Sequence, residues 1–420
     1  MPYPRILRVR QSFPRPRVDD IPTAVRVALA QLDLGRTIRP GQTVALTAGS
    51  RGIANIPLIL RSVVEHLLDL KAQPFLVPAM GSHGGGTALG QRAVLESYGI
   101  TEAFVGAPIR ASMDVVKIGK TAEGWPVYLD EIASTANHIG VVGRIKPHTS
   151  YHGALESGWM KMMMIGLGKR EGAAWYHRVL LENNYDPVVR SVGKVMRTRA
   201  PIAFALGTVE NGYDETALIE AALPADFETV EERLLVKAKE WLARLPFAQA
   251  DLLIIDEIGK EISGSGMDTN LVGRKRAFKG GAPENQPAMR FIFIRGLSAH
   301  THGNGAGIGL ADFTTTRLVQ SLDYAATRLN CVTSGYPEGS NLPVHYDSDR
   351  EVLDNALAII GTRDLASARI MRIQSTMHVE ELEVSQPCLD ELPPRTKFEV
   401  LGPADWTFDA AGNLPPLREI

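Results

Sequence analysis

The sequence predicts an α/β protein of two domains, with largely parallel sheets and an active-site cleft between them. Three observations point there. At 420 residues the chain exceeds what one hydrophobic core normally supports. Short apolar runs that stop at glycine or serine alternate with segments of helical period, which is the rhythm of βαβ units. That rhythm restarts after a charged helical segment near residues 240–250, where no Ser/Gly-rich linker intervenes. Domains 1–245 and 246–420 are therefore expected to pack closely around a shared cleft.

Each element follows from its pattern. Arg5, Arg8, Arg10, Arg15 and Arg17 make a basic N-terminal segment broken by prolines, read as a solvated leading strand and not a secretory signal. TVALTAGS, residues 43–50, is a strand, and RGIANIPLILRSVVEHLLDLK, 51–71, carries helical spacing. PFLVPAMGS, 74–82, is the next strand and turn, followed by the helix of residues 84–100. HIGVVGRIKPH, 138–148, repeats the strand pattern. In parallel βαβ units functional loops gather at strand carboxyl ends, so Arg51, His83 and His148 are expected at one edge. The helix EERLLVKAKEWLARL closes the first domain and ADLLIIDEIG opens the second. RFIFIRGL reads as a strand, GIGLADFTTTRLVQSL as a helix, and the proline-rich tail after about residue 390 as a peripheral wrap.

Composition removes several classes of function. With 45% hydrophobic and 22% charged residues and a formal charge of -2, the chain offers no broad surface for nucleic acid or another polyanion. Two cysteines, Cys331 and Cys388, lack zinc-like spacing and fit a reducing cytoplasm. No apolar run approaches the roughly 18 residues of a membrane span. No repeat period or low-complexity block stands out.

The stretch from His148 to His177 concentrates the chemistry. Met160, Met162, Met163 and Met164 surround Lys161, and a lysine in such company loses solvation, which leaves its amine neutral and nucleophilic. A snorkelling lysine on a buried helix has the same local signature. His177 follows sixteen positions later, within reach of the same site across a turn. His83 sits in a GSHGGG turn, where Gly84, Gly85 and the following helix start can receive a phosphate. Arg51 suits a carboxylate, although a helix-start arginine also serves surface ion pairs. His148 and His152 have i, i+4 spacing, but Pro147 and the loop-like context argue against a helical zinc site, and the HEXXH glutamate is absent. His300 and His302 lie beside glycines in a second candidate loop, and no GxGxxG with a distal acid marks an exchangeable NAD site.

Taken together, AGSRGIAN around Arg51, PAMGSHGGGT around His83, and the series of KPH, SGWMK and His177 resemble the nickel-pincer nucleotide-dependent lactate racemase family in order and approximate spacing. The resemblance implies that Lys161 carries the cofactor through a thioamide, that His177 ligates nickel, and that His83 and His148 are the acid and base. It further implies that Arg51 and a basic residue of GSGMDTNLVGRKR hold the substrate; among Arg274, Lys275 and Arg276, Arg276 is the choice, with Lys260 competing. The segment between His148 and Lys161 is longer than in the lactate-specific members, so a larger hydroxy acid or sugar acid is credible. The implied reaction is racemisation or epimerisation of a 2-hydroxy acid, with cofactor-maturation proteins as partners. The chemistry is coherent: the α-hydrogen beside a carboxylate is poorly acidic, so removal as hydride by a cofactor, with two histidines moving the hydroxyl proton, is the easier route. The alternatives are a metal-dependent hydrolase and a non-catalytic metal- or nucleotide-binding protein.

Overall fold

The computed structural model describes residues 3–49, 52–275, 286–361 and 364–417. The chain divides into two compact units, one of residues 14–242, the other joining Met1–Phe13 to nearly everything from Ala243 to Ile420. The strands are β1 (Ile6–Ser12), β2 (Thr43–Ala48), β3 (Gln73–Pro78), β4 (Val115–Lys120), β5 (Pro126–Asp130), β6 (His138–Arg144), β7 (Ile202–Glu210), β8 (Thr216–Ala222), β9 (Gln249–Ile255), β10 (Ala288–Ile294), β11 (Phe313–Thr315), β12 (Val344–Tyr346), β13 (Ile370–Ile373), β14 (Glu381–Ser385) and β15 (Lys397–Pro403). Both main sheets are mostly parallel, and the fold is α/β.

In the unit of residues 14–242, five strands lie in the order β3-β2-β6-β7-β8, parallel except for β8. Strand side chains alternate between two apolar layers: Ala45 faces one, while Val44, Leu46 and Ala48 face the other. A sheet covered on both faces requires the continuous apolar runs seen in the sequence. The helices Ile21–Ala30 and Ile56–Asp69 pack in one layer. The helices Lys169–Glu182, Tyr185–Arg199 and Phe227–Trp241 pack in the other. The ribbon of β4 and β5 is antiparallel and contributes Val127 and Leu129 to that second layer.

In the other unit, eight strands run β12-β11-β10-β9-β13-β14-β1-β15. The first five are parallel, and β14, β1 and β15 follow antiparallel. Its core gathers Leu252, Ile254, Phe293, Val352, Leu353 and Ile370.

Three expectations are corrected here. The leading strand is not solvated: β1 lies inside the sheet between β14 and β15, with Ile6, Leu7 and Val9 buried, and it belongs to the unit formed mainly by the C-terminal half. Residues 307–322 form a short 3-10 turn, the strand β11 and only a six-residue helix, Thr316–Ser321. The tail is more than a wrap. Strand β15 pairs with β1, and the carbonyls of Leu414 and Pro415 accept hydrogen bonds from Arg295 and Arg372.

Candidate active site

Strands β3, β2 and β6 are parallel neighbours, so the segments leaving them share one edge of the sheet. They lead to the loop after Gly49, to His83 and to His148. Ser50 and Arg51 lie outside the described residues, as does Arg276. The exit of the first loop is pinned by Glu210 at the end of β7, whose carboxylate accepts the Ala54 amide at 2.8 Å and pairs with Arg144.

The His83 loop is a chain of tight turns. The His83 amide donates to Met80 O at 3.1 Å, and its carbonyl accepts from Gly86 N at 3.2 Å. Gly84, Gly85 and Gly86 all have φ near +65°, a region glycine enters without a steric penalty. Gly84 is further fixed by packing, since a Cβ there would fall 2.5 Å from the Gly90 backbone, whereas a Cβ on Gly85 would meet open space. Thr87 Oγ1 accepts the Gly90 amide at 3.1 Å and caps the helix Ala88–Ser97. His83 itself is exposed.

His148 sits in a loop closed by a bridge between Lys146 and Ser157. The buried carboxylate of Glu156 organises it, accepting the His148 amide at 2.7 Å and the Gly153 amide at 3.4 Å while pairing with Lys239 at 2.6 Å. The imidazole Nδ1 accepts the amides of Ser150 and Tyr151 at 3.0 and 3.1 Å. Backbone N–H groups can only donate, so the neutral ring must carry its proton on Nε2. His148 stacks on Tyr151 with centroids 4.5 Å apart, and Tyr151 stacks on Tyr185 at 4.6 Å. His152 lies in the same loop, so the i, i+4 pair is not helical.

Lys161 ends the short helical turn Trp159–Lys161 and directly precedes a π-helical turn, Met162–Gly166. Such turns are rare and recur at functional sites. Glu231, from the helix Phe227–Trp241, inserts its carboxylate at the turn Trp159–Lys161 and accepts the Met160 amide at 2.9 Å. Gly158 makes room for it, because a Cβ there would lie 2.3 Å from Glu231 Oε1. Burial pushes the Glu231 carboxyl up to about 8, with the Met160 and Trp159 amides acting in the opposite direction. Beyond Lys161, the methyl of Met162 reaches within 3.2 Å of where side chains on Gly49 and Gly143 would begin, and Ile165 does the same at Gly81. The lysine-bearing segment thus crosses the carboxyl edge of β2, β6 and β3.

Lys161 is half-buried, beside the buried Met160, Met163 and Met164. Among the described residues the lysine wholly removed from water is Lys169, whose pKa is lowered by burial against the opposing pull of Asp130. His177 is half-buried, a little over two turns into the helix that Lys169 opens. Among the second-domain candidates, Arg274 pairs with Asp312 at 2.6 Å and reaches the carbonyls of Met289 and Arg290, a structural engagement, while Lys260 Nζ donates to Gly264 O at 2.7 Å. His300 and His302 are exposed. Both cysteines are free and buried.

Sequence reasoning missed Glu156, Glu231, Lys169, Gln91 and Asp130. Their roles arise from contacts distant along the chain, such as the 71 positions between Met160 and Glu231. The buried lysine at the end of GLGK was the one available signal, since an uncompensated lysine in an apolar run requires a partner.

Residues 19–187 match the family model of the lactate racemase N-terminal domain. The chain is similar in fold to the lactate racemase apoprotein of Thermoanaerobacterium thermosaccharolyticum, with a TM-score of 0.54 and 15% identity over 88% of this chain and 94% of that one. A Thermotoga maritima protein from a structural genomics programme aligns at a TM-score of 0.47 and 11% identity, over 78% of this chain and 84% of that one. No curated protein matches the sequence.

Proposed function

We propose, for a chain whose residues 19–187 match the lactate racemase N-terminal domain, that it racemises or epimerises a 2-hydroxy acid with a nickel-pincer nucleotide tethered to Lys161. The observation that carries the reading is the convergence at one sheet edge: the His83 and His148 loops leave β3 and β6, the parallel strands on either side of β2, and the segment bearing Lys161 lies across their ends. The donor set fits such a group. Among the described residues no cluster of three or more His, Cys, Asp or Glu could hold a metal ion, so a cage made by protein alone, as a metallohydrolase needs, has no donors there. A metal that arrives with donors from its own cofactor would need little more from the protein than an imidazole. Lys161 would hold the nucleotide, His177 the nickel, and the glycine turn at Gly84 and Gly85 the phosphate.

When bound, the group supplies a reversible acceptor for the α-hydrogen as hydride. The protein's residues do the rest. Arg51 would hold the carboxylate, a planar guanidinium matching it bidentately. His83 and His148 exchange the hydroxyl proton from opposite sides, one for each configuration. For His148 to accept a proton at Nε2, Nδ1 must gain one, so the amides of Ser150 and Tyr151 must release it as substrate enters.

Coexpression with cofactor-maturation proteins followed by intact-mass analysis tests the assignment. The parent should carry the adduct and Lys161→Ala should not; an adduct that persists in the variant removes this lysine. His177→Ala should keep the adduct but lose nickel through gel filtration, and parent-like nickel content removes it as ligand. A chiral screen of hydroxy acids and sugar acids with the loaded protein then identifies the substrate. Loaded protein that converts none of them favours a binding role.

A further inference from the structure

We infer that Lys169, through Gln91, is a positioning residue that sets the geometry of the His83 loop and ties it to the helix bearing His177. The inference rests on the reading of His83 as a proton carrier. Lys169 is fully buried and opens the helix Lys169–Glu182 from a left-handed conformation, φ +52°, that a lysine rarely adopts. Its ammonium donates to Pro78 O, the last carbonyl of β3, at 2.5 Å, pairs with Asp130 Oδ2 at the end of β5 at 2.7 Å, and reaches Gln91 Oε1 at 3.4 Å. Gln91 is also fully buried. With its oxygen drawn to the ammonium, its amide nitrogen must face the other way, where it donates to Gly81 O at 2.9 Å and His83 O at 3.3 Å. The cation therefore fixes which way the glutamine points, and the glutamine grips the backbone on both sides of the turn that presents His83. The Gly81 amide in turn donates to Gly166 O at 3.4 Å, on the π-helical turn after Lys161. One buried charge thus links the strand end, the histidine turn and the entry to the His177 helix.

A buried ion pair that serves stability alone can usually be replaced by neutral groups of similar volume without loss, and this separates the two roles. Two variants of the full chain are informative. Gln91→Met removes the relay and leaves the ion pair. Lys169→Met with Asp130→Asn removes both charges while the asparagine oxygen still accepts the Ala133 amide that Asp130 Oδ1 caps at 2.8 Å. Amide hydrogen exchange on the apoprotein is the main readout, since it needs no cofactor. Positioning requires exchange of the His83, Gly86 and Thr87 amides to rise by about tenfold or more in both variants, with β2 and β7 unchanged. Parent-like exchange in that loop in Gln91→Met overturns the inference. Faster exchange across the whole sheet, with a lower melting temperature in both variants, assigns the network to bulk stability and also overturns it. If the double variant fails to fold, Gln91→Met decides alone. In the loaded protein kcat should fall about 10- to 100-fold with KM nearly constant, as for a catalytic group displaced by about an ångström. A looser loop in a protein that converts no hydroxy acid would leave the positioning intact and reject the proposed reaction.

Discussion

At the scale of single residues, the protonation of Glu231 and His148 gives the most direct tests. Glu231 holds its proton to about pH 8 in the folded chain, against an ordinary value of 4.5. Between those values the folded state binds more protons than the unfolded one, so stability falls as pH rises through this window. Urea unfolding midpoints at pH 5 and pH 8.5 should therefore differ more in the parent than in Glu231→Gln, whose amide oxygen still accepts the Met160 N–H without a charge to bury. Equal pH dependence in parent and variant would refute the assignment. For His148, nitrogen NMR of the apoprotein should show an unprotonated Nδ1 and a protonated Nε2, because Ser150 and Tyr151 already donate to Nδ1. A resting Nδ1–H tautomer would mean that the turn is not formed in solution.

At the scale of elements, the turn carrying Lys161 depends on close approach by another helix. Gly158→Ala should destabilise the protein by about 1–3 kcal/mol, the usual cost of overpacking, since its methyl would enter the Glu231 carboxylate. A double-mutant cycle with Glu231→Ala should recover part of that loss; strictly additive effects would show that the two do not meet. Legibility in the sequence follows the same line. Strands β2, β3 and β6 could be read because a parallel strand buried on both faces is an unbroken apolar run ending at a glycine-bearing turn, and their loops carried the recognisable motifs. Strands β11 and β12, at three residues each, are too short to show a period. Strand β15 lies at the sheet edge with Glu399, Val400 and Leu401 exposed, so no alternation marks it. The Lys169 network was illegible for another reason: its members lie 78 and 91 positions apart, and only the fold brings them together.

At the scale of the whole molecule, the chain leaves one unit after Phe13, builds the other through residue 242, and returns. Removing residues 1–13 should therefore injure the distant half of the sequence. Strand β15 would lose β1, its partner along the whole of Leu7–Ser12, and hydrogen exchange at residues 397–403 should approach that of unfolded chain. Exchange in β2, β6 and β7 should stay at parent levels, and protection retained in β15 would refute the dependence. The same connectivity dictates an order during synthesis. Strand β1 is made before every other strand of its sheet, and its neighbours β14 and β15 are made after them. Residues 14–242 have every strand of their own sheet by the time Ala222 is made, so they can fold while the apolar face of β1 still waits for a partner. During that interval Ile6, Leu7 and Val9 have no cover, and the like charges of Arg5, Arg8 and Arg10 between and beside them oppose the pairing of one waiting strand with another.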